Sequence, residues 1–139
     1  MSDILTAIAE IESKKKNLVP IADPQEVFKG SIEIDEQLHR LAKNLKLLAE
    51  LEYLAGQEMV RLEQIYNRKT MELARELTTD KLEEIGIVKS NKFKYINASL
   101  HQEEADVENM RLKYKYFKDI RNTYVEWCNI YKKTRTIAE

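Results

Sequence analysis

The sequence contains few of the residues that interrupt regular structure, and it has a single cysteine. Among its 139 residues there are three glycines, two prolines and one cysteine. So few turn-forming residues exclude the many tight turns of a β-sandwich or β-barrel. Because Cys128 has no second cysteine to join, it forms neither an internal disulfide nor a thiolate metal site.

Long apolar runs and an excess of one charge are also missing. No window approaches the roughly 18 consecutive apolar residues of a transmembrane helix. The first residues lack the basic and apolar regions of a secretory signal. The 24 acidic and 23 basic side chains give a net charge of −1, which excludes attraction to polyanions by bulk charge. We therefore expect a cytoplasmic protein with no membrane partner.

An N-terminal helix is followed by a proline-containing linker. The apolar spacing predicts a short amphipathic helix over residues 3–18. Pro20 and Pro24 then end helical structure, because proline lacks a backbone donor and clashes with the preceding turn. We divide the chain into an N-terminal helix and linker, residues 1–30, and a long helical region, residues 31–139, within a single domain overall.

The long region is predicted to form an antiparallel helical hairpin. Apolar residues recur at steps of three and four over residues 32–77 and 91–135, which is the pattern of a coiled-coil seam. The connector is short, since Thr78 or Thr79 begins a helical turn and Gly86 ends it. The fold is therefore predicted to be all-α: a long, coiled-coil-like hairpin with a short N-terminal helix.

The apolar seam of this hairpin predicts an oligomer. One hairpin has too little core to cover its seam, so we expect other copies of the chain to complete it. The last helix follows the seam from Phe93 onward, but Glu103 and Arg121 occupy two seam positions. These polar residues either set the register or mark a water-filled stretch. The residues assigned to the seam are Leu38, Leu45, Leu100, Val107, Met110, Tyr114, Phe117 and Tyr124.

Motifs for catalysis, cofactors or metals are absent from the sequence. The three glycines are too far apart for a phosphate-binding loop, and there is no nucleophile elbow. Glu36 and His39 have the Glu-x-x-His spacing of di-metal helical bundles. The second half of that motif is missing, because Ala98 stands three residues before His101. We therefore predict that the protein is not an enzyme and has no cofactor and no metal site.

The end of the chain combines basic and aromatic residues. Between residues 111 and 135 there are eight basic, two acidic and six aromatic side chains. Cations that track phosphates and rings that stack on unpaired bases make a single-stranded nucleic-acid site. The same pattern is typical of a solvated charged face beside a packed aromatic seam. The candidate nucleic-acid-binding residues of this window are Lys113, Lys115, Lys118, Lys132, Lys133 and Arg135.

Several local sequences lie within a layout of two long helices after a proline-interrupted arm. They are Leu-Ala-Arg at 73–75, Ala-Asp-Val at 105–107, and an aromatic-rich last helix that ends in Lys-Lys-Thr-Arg at 132–135. In these features, over residues 32–137, the chain resembles the UvsY-type recombination mediators of T-even-like bacteriophages.

This resemblance implies a small helical oligomer that is encoded by a phage and works in the host cytoplasm. It implies binding to single-stranded DNA, with Arg68, Lys69 and Arg75 in the basic stretch that contacts DNA. It also implies that a recombinase and a single-strand-binding protein are partners, so that the protein helps to load the recombinase. The alternative is a helical protein–protein interaction module with no nucleic-acid partner: a structural adaptor, a scaffold or an inhibitor from phage or host.

Overall fold

The computed structural model describes residues 3–27 and 33–138. Of these residues 88% are helical and none lies in a strand, which confirms the all-α prediction. The last residues of the predicted linker, 28–30, and the first two of the predicted long region, 31–32, lie outside the described part. The elements are α1 (Asp3–Lys15), α2 (Pro24–Val27), α3 (Ile34–Glu76), α4 (Thr79–Glu84), a 3-10 turn (Lys89–Asn91), α5 (Lys92–Ser99) and α6 (His101–Ala138).

The prediction of one unbroken helix over residues 91–135 is wrong. Leu100 separates α5 from α6, with φ of −105° and ψ of 24°. The hydroxyl of Ser99 donates to the backbone carbonyl of Tyr95 at 2.9 Å. Such a bond to the carbonyl four residues back is a known cause of helix bending. The apolar period is continuous through this point, so the sequence pattern did not reveal the break.

The connector between the long helices is built as predicted. The hydroxyl of Thr78 accepts a hydrogen bond from the backbone N–H of Lys81 at 3.3 Å and so caps α4. Gly86 has a φ of +75°, the left-handed conformation that glycine adopts without strain. The N–H of Ile87 reaches back to the carbonyl of Leu82 at 2.9 Å, which completes a Schellman motif.

The chain divides into two compact units. Unit 1 comprises Met1–Ala55 and Lys113–Glu139, and unit 2 comprises Gly56–Leu112. Within unit 1, α3 and α6 are antiparallel, because Glu52 pairs with Arg121 and Asp35 with Arg135.

Within unit 2 the two long helices are also antiparallel. Lys69 pairs with Glu103 at 3.1 Å, and Glu63 pairs with Arg111 at 3.1 Å. The end of unit 2 has its own small core, to which α3, α4 and α5 contribute. Its buried residues are Leu77, Leu82, Ile96 and Leu100.

In unit 1 the N-terminal segment packs on the long helices of the same chain. Ile11 in α1 is 1% exposed. Lys14 of α1 pairs with Glu50 of α3 at 3.9 Å, and Glu12 pairs with Lys113 of α6 at 3.7 Å. Helix α1 therefore packs on the long helices of its own chain. Oligomerisation stays a prediction.

The segment after α1 is held by side chains that bond its backbone. Asn44 donates to the carbonyl of Val19 at 2.7 Å and accepts from the N–H of the same residue at 2.9 Å. Gln37 accepts from the N–H of Ala22 at 2.9 Å, and the hydroxyl of Tyr131 donates to the carbonyl of Ala22 at 2.5 Å. Because helix and sheet bonds are missing here, these amides and the phenol satisfy the backbone instead.

This arrangement changes which residues of α3 are buried. The predicted seam residues Leu38 and Leu45 are only half-buried, whereas Gln37 and Asn44 are 8% and 0% exposed. The amides are buried because they hydrogen-bond to the N-terminal segment. On α6 and before it, Leu100, Val107, Met110 and Phe117 are buried, and Tyr114 and Tyr124 are half-buried.

Glu103 and Arg121, the polar residues of the seam, each have a charged partner on α3. The Nε of Arg121 lies 2.5 Å from Oε2 of Glu52, and Nη2 lies 3.2 Å from Oε1, which makes a two-point pair. The Glu103 carboxylate accepts a hydrogen bond from the Lys69 ammonium at 3.1 Å. Its pKa is lowered, first by a hydrogen bond from its own backbone N–H at the start of α6 and then by Lys69. Charge pairing across the seam favours the register-setting interpretation of these residues over a water-filled stretch.

Candidate nucleic-acid interface

The exposed face of α6 in unit 1 bears lysines and amides. Lys115, Lys118, Lys132 and Lys133 are all exposed, and Asn122 and Asn129 lie between them at helical spacing. At 100° per residue these positions fall within an arc of about 100° on one side of the helix. We call this set of six residues the lysine face. Two exposed acidic residues, Glu126 and Asp119, lie just beyond one edge of the arc.

Within the described residues, the lysines of this face are not neutralised. None of the four has an ion-pair partner among the residues that the structure describes. The charge of Lys132 acts on the nearby Cys128, whose pKa is nevertheless raised because burial disfavours the thiolate. Half-buried and protonated at neutral pH, Cys128 is a small packing residue in this structure.

Other predicted binding residues are engaged in ion pairs. In unit 1, Lys113 pairs with Glu12 at 3.7 Å, and Arg135 pairs with Asp35 at 3.0 Å. Surface ion pairs of this kind contribute about 0–1 kcal/mol to stability, so each one neutralises a charge locally but is easily broken. The structure therefore separates the predicted C-terminal cations into two paired residues and four unpaired ones.

The basic residues predicted near the end of the second helix also include both ion-paired and unpaired side chains. In unit 2, Lys69 pairs with Glu103, and Arg68 lies 3.8 Å from Glu72. Arg75 is exposed and has no ion-pair partner within the described ranges.

Most of the aromatic side chains in the window are covered within unit 1. Phe117 and Tyr131 are 2% and 0% exposed and belong to the core. Tyr124 and Trp127 are half-buried and pack against each other with ring centroids 5.3 Å apart, and Tyr114 is also half-buried. Of the six rings expected to stack between the cations, Tyr116 alone is more than half exposed, at 51%. The lysine face itself therefore offers contacts mainly to phosphates.

A second basic and aromatic group lies in unit 2, where sequence reasoning had placed part of the seam. Phe93, at the start of α5, is 69% exposed rather than packed. Lys89 and Lys94 beside it are also exposed. The Lys-Phe-Lys triplet at 92–94, within a stretch that has no acidic residue, is the sequence feature that could have identified this group.

A surface cavity in each unit is lined by charged side chains, and none of its lining residues is a nucleophile beside an activating base. A cavity of about 510 Å³ in unit 2 is lined by Glu63, Glu104 and Glu108, with Arg111 between them. Arg111 donates to Glu63 at 3.1 Å and to Glu108 at 2.7 Å, so the groups neutralise one another. A cavity of about 430 Å³ in unit 1 is lined by Asn17, Lys43, Lys46, Leu47 and Glu50.

The described residues were compared with the requirements of a metal site and of a membrane-spanning helix. Within 3–27 and 33–138 no group of three or more His, Cys, Asp or Glu side chains is arranged to hold a metal ion. Glu36 of the Glu-x-x-His pattern is paired with Arg40 at 2.8 Å, and His39 is exposed. Over the same residues, none of the helices combines the length and the apolar character that crossing a bilayer requires.

Comparison of the chain with protein-family models, with curated proteins and with solved structures gives no match.

Proposed function

We propose that the protein is a non-enzymatic accessory protein of DNA recombination or repair, which binds single-stranded DNA through the lysine face of α6. The observation that carries this proposal is the set of four exposed lysines without ion-pair partners among the described residues. Ten other basic residues of the described part are neutralised in ion pairs, whereas these four lysines share one face of a single helix. A polyanion is the natural occupant, because phosphates would neutralise it and release counterions.

The geometry of the lysine face fits an extended sugar–phosphate backbone. Lys115 and Lys133 are 18 residues apart, which corresponds to about 27 Å along a helix. Lys118 and Lys132 lie between them, and the side-chain amides of the two asparagines donate hydrogen bonds to phosphate or sugar oxygens. Contacts of this kind position a strand without reading its sequence.

The role in recombination is proposed from the resemblance to phage mediators. In that role the protein acts as a homo-oligomer, contacts a recombinase and a single-strand-binding protein, and helps to load the recombinase on the strand. Several copies of the lysine face in one assembly would hold one strand at several points, which raises the affinity through effective concentration.

The test is the salt dependence of binding to a fluorescent single-stranded oligonucleotide, measured by anisotropy. The double variant Lys132→Ala/Lys133→Ala removes two phosphate contacts. Its plot of log K against log salt concentration is expected to be shallower than wild type by about 1.4, at about 0.7 per contact for a single strand. The charge-matched control is Lys43→Ala/Lys46→Ala on α3, which should leave the slope unchanged. Equal slopes for wild type and both variants would remove the lysine face from the proposal.

A second candidate function is a helical protein–protein interaction module without a nucleic-acid partner, such as an adaptor, scaffold or inhibitor. It is favoured by five of the six aromatic residues between positions 111 and 135, which are buried or half-buried in unit 1 instead of offering open stacking surfaces. Failure of the wild-type protein to bind either single-stranded or duplex DNA at low salt would select this candidate.

A further inference from the structure

Phe93 is the exposed ring best suited to contact a ligand. Three aromatic side chains are more than half exposed in the described residues: Phe93 at 69%, Tyr53 at 63% and Tyr116 at 51%. The ammonium of Lys15 lies 5.4 Å from the ring centroid of Tyr116, and Phe117 packs against the same ring at 5.6 Å. Tyr53 follows Glu52 and lies one helical turn after Glu50. Phe93 instead stands between two lysines.

The backbone beneath Phe93 is firmly held within unit 2. Ile96, one helical turn further along α5, is 1% exposed and belongs to the core formed with Leu77 and Leu82. Lys92 donates from its ammonium to the carbonyl of Ala74 at 2.8 Å, which ties the start of α5 to the last turn of α3. The ring is therefore carried by an anchored helix, which lowers the entropy lost when a ligand binds.

The surroundings of Phe93 favour an anionic ligand. From Ile85 to Gln102 the chain has no acidic residue. Lys89 and Lys94 are exposed without ion-pair partners among the described residues. Arg75 is also exposed and has no ion-pair partner among the described residues. It directly follows Ala74, whose carbonyl accepts the hydrogen bond from Lys92. The acidic residues nearest in sequence are in α4, where Glu84 pairs with Lys81 at 3.7 Å.

We propose that Phe93, flanked by Lys89, Lys94 and Arg75, is a base-stacking site for single-stranded DNA. This inference rests on the proposed function and adds to it the source of strand preference. The lysine face contacts phosphates, which duplex and single strand both present, so it does not discriminate between them. A ring stacks only on a base that is free of its partner, and every base has a face on which to stack. Phe93 thereby selects the single strand without selecting its sequence.

The test compares a thymidine oligonucleotide with an otherwise identical strand that carries abasic sites. Wild type is expected to bind the thymidine strand more tightly, whereas Phe93→Ala should weaken that binding by roughly 5- to 150-fold and bind the abasic strand as wild type does. Phe93→Trp should retain tight binding, while Phe93→Leu, which is apolar but has no ring, should not. Tyr53→Ala removes an exposed ring outside a basic setting and should bind as wild type does.

A direct signal of stacking is available because the chain has one tryptophan. In the Trp127→Phe/Phe93→Trp variant the new indole should be quenched on addition of the thymidine strand and unaffected by the abasic strand. Circular dichroism checks that each variant is folded. If wild type binds the strand but Phe93→Ala or Phe93→Leu binds it equally well, the stacking site is overturned and the lysine face stands. If wild type binds no DNA at low salt, both proposals fail.

Discussion

Substitution of Asn44 by alanine tests how the N-terminal segment is held in unit 1. Asn44 is fully buried and bonds both the N–H and the carbonyl of Val19, at 2.9 and 2.7 Å. Asn44→Ala leaves two backbone groups without these partners. A buried polar group that loses its partner costs about 1–3 kcal/mol.

The expected loss is smaller than the sum of two full penalties. Val19 is half-buried, so water reaches part of its backbone in the variant. Alanine also has a higher helix propensity than asparagine by a few tenths of a kcal/mol. We therefore expect the free energy of unfolding of Asn44→Ala to fall by about 2 kcal/mol.

The measurement is urea unfolding followed by far-UV circular dichroism, with two companion variants. Asn129→Ala makes the same chemical change on the exposed face of α6 and should stay within about 0.5 kcal/mol of wild type. Asn44→Leu replaces the amide with an apolar side chain of the same branching. Leucine makes neither hydrogen bond, so this variant should be destabilised as Asn44→Ala is. The reasoning is refuted if Asn44→Ala is as stable as Asn129→Ala, or if Asn44→Leu equals wild type.

Two further predictions concern the charged residues of the seam. The Arg121–Glu52 pair is a two-point contact with side chains 36% and 15% exposed. A double-mutant cycle to alanine should therefore give a coupling free energy of about 1 kcal/mol. If the stability losses of the two single variants add up to the loss of the double variant, the pairing is contradicted. The lowered pKa of Glu103 means that its contribution to stability is present at neutral pH and is lost as the pH falls through that pKa. Glu103→Gln should therefore destabilise the protein at neutral pH and little in acid, measured as urea midpoints. A pH-independent difference would show that ionisation of Glu103 is not involved.

The sequence was sufficient for features that depend on local chemistry. Steps of three and four between apolar residues predicted two long helices, because only one face of a helix can meet a partner. Thr78 and Gly86 marked the connector, since a cap needs a hydroxyl acceptor and the left-handed turn favours glycine. Both are observed. The break at Leu100 was missed, because the apolar period continues through it without interruption.

The candidate site was predictable in composition but not in arrangement. The sequence identified the basic and aromatic residues of α6. It did not reveal that Phe117 and Tyr131 are buried while Lys115, Lys118, Lys132 and Lys133 remain exposed, because the helical period specifies angles around the helix axis and not which side a neighbouring helix covers. Phe93 was assigned to the seam for the same reason: its spacing fits, but its side chain is 69% exposed.

By itself the sequence determined the helical class, the capped connector and the charged composition, since each depends on residues within a few turns of one another. Tertiary structure decided which surfaces are available. Gln37 and Asn44 are buried in place of Leu38 and Leu45 because a segment about 15 to 25 residues away offers unpaired backbone groups. Other long-range contacts place cations such as Lys113 and Lys69 in ion pairs within the chain, whereas the lysine face and Phe93 remain exposed. Polar groups and charges bond to partners that are distant in the sequence, and only the folded chain shows which partners these are.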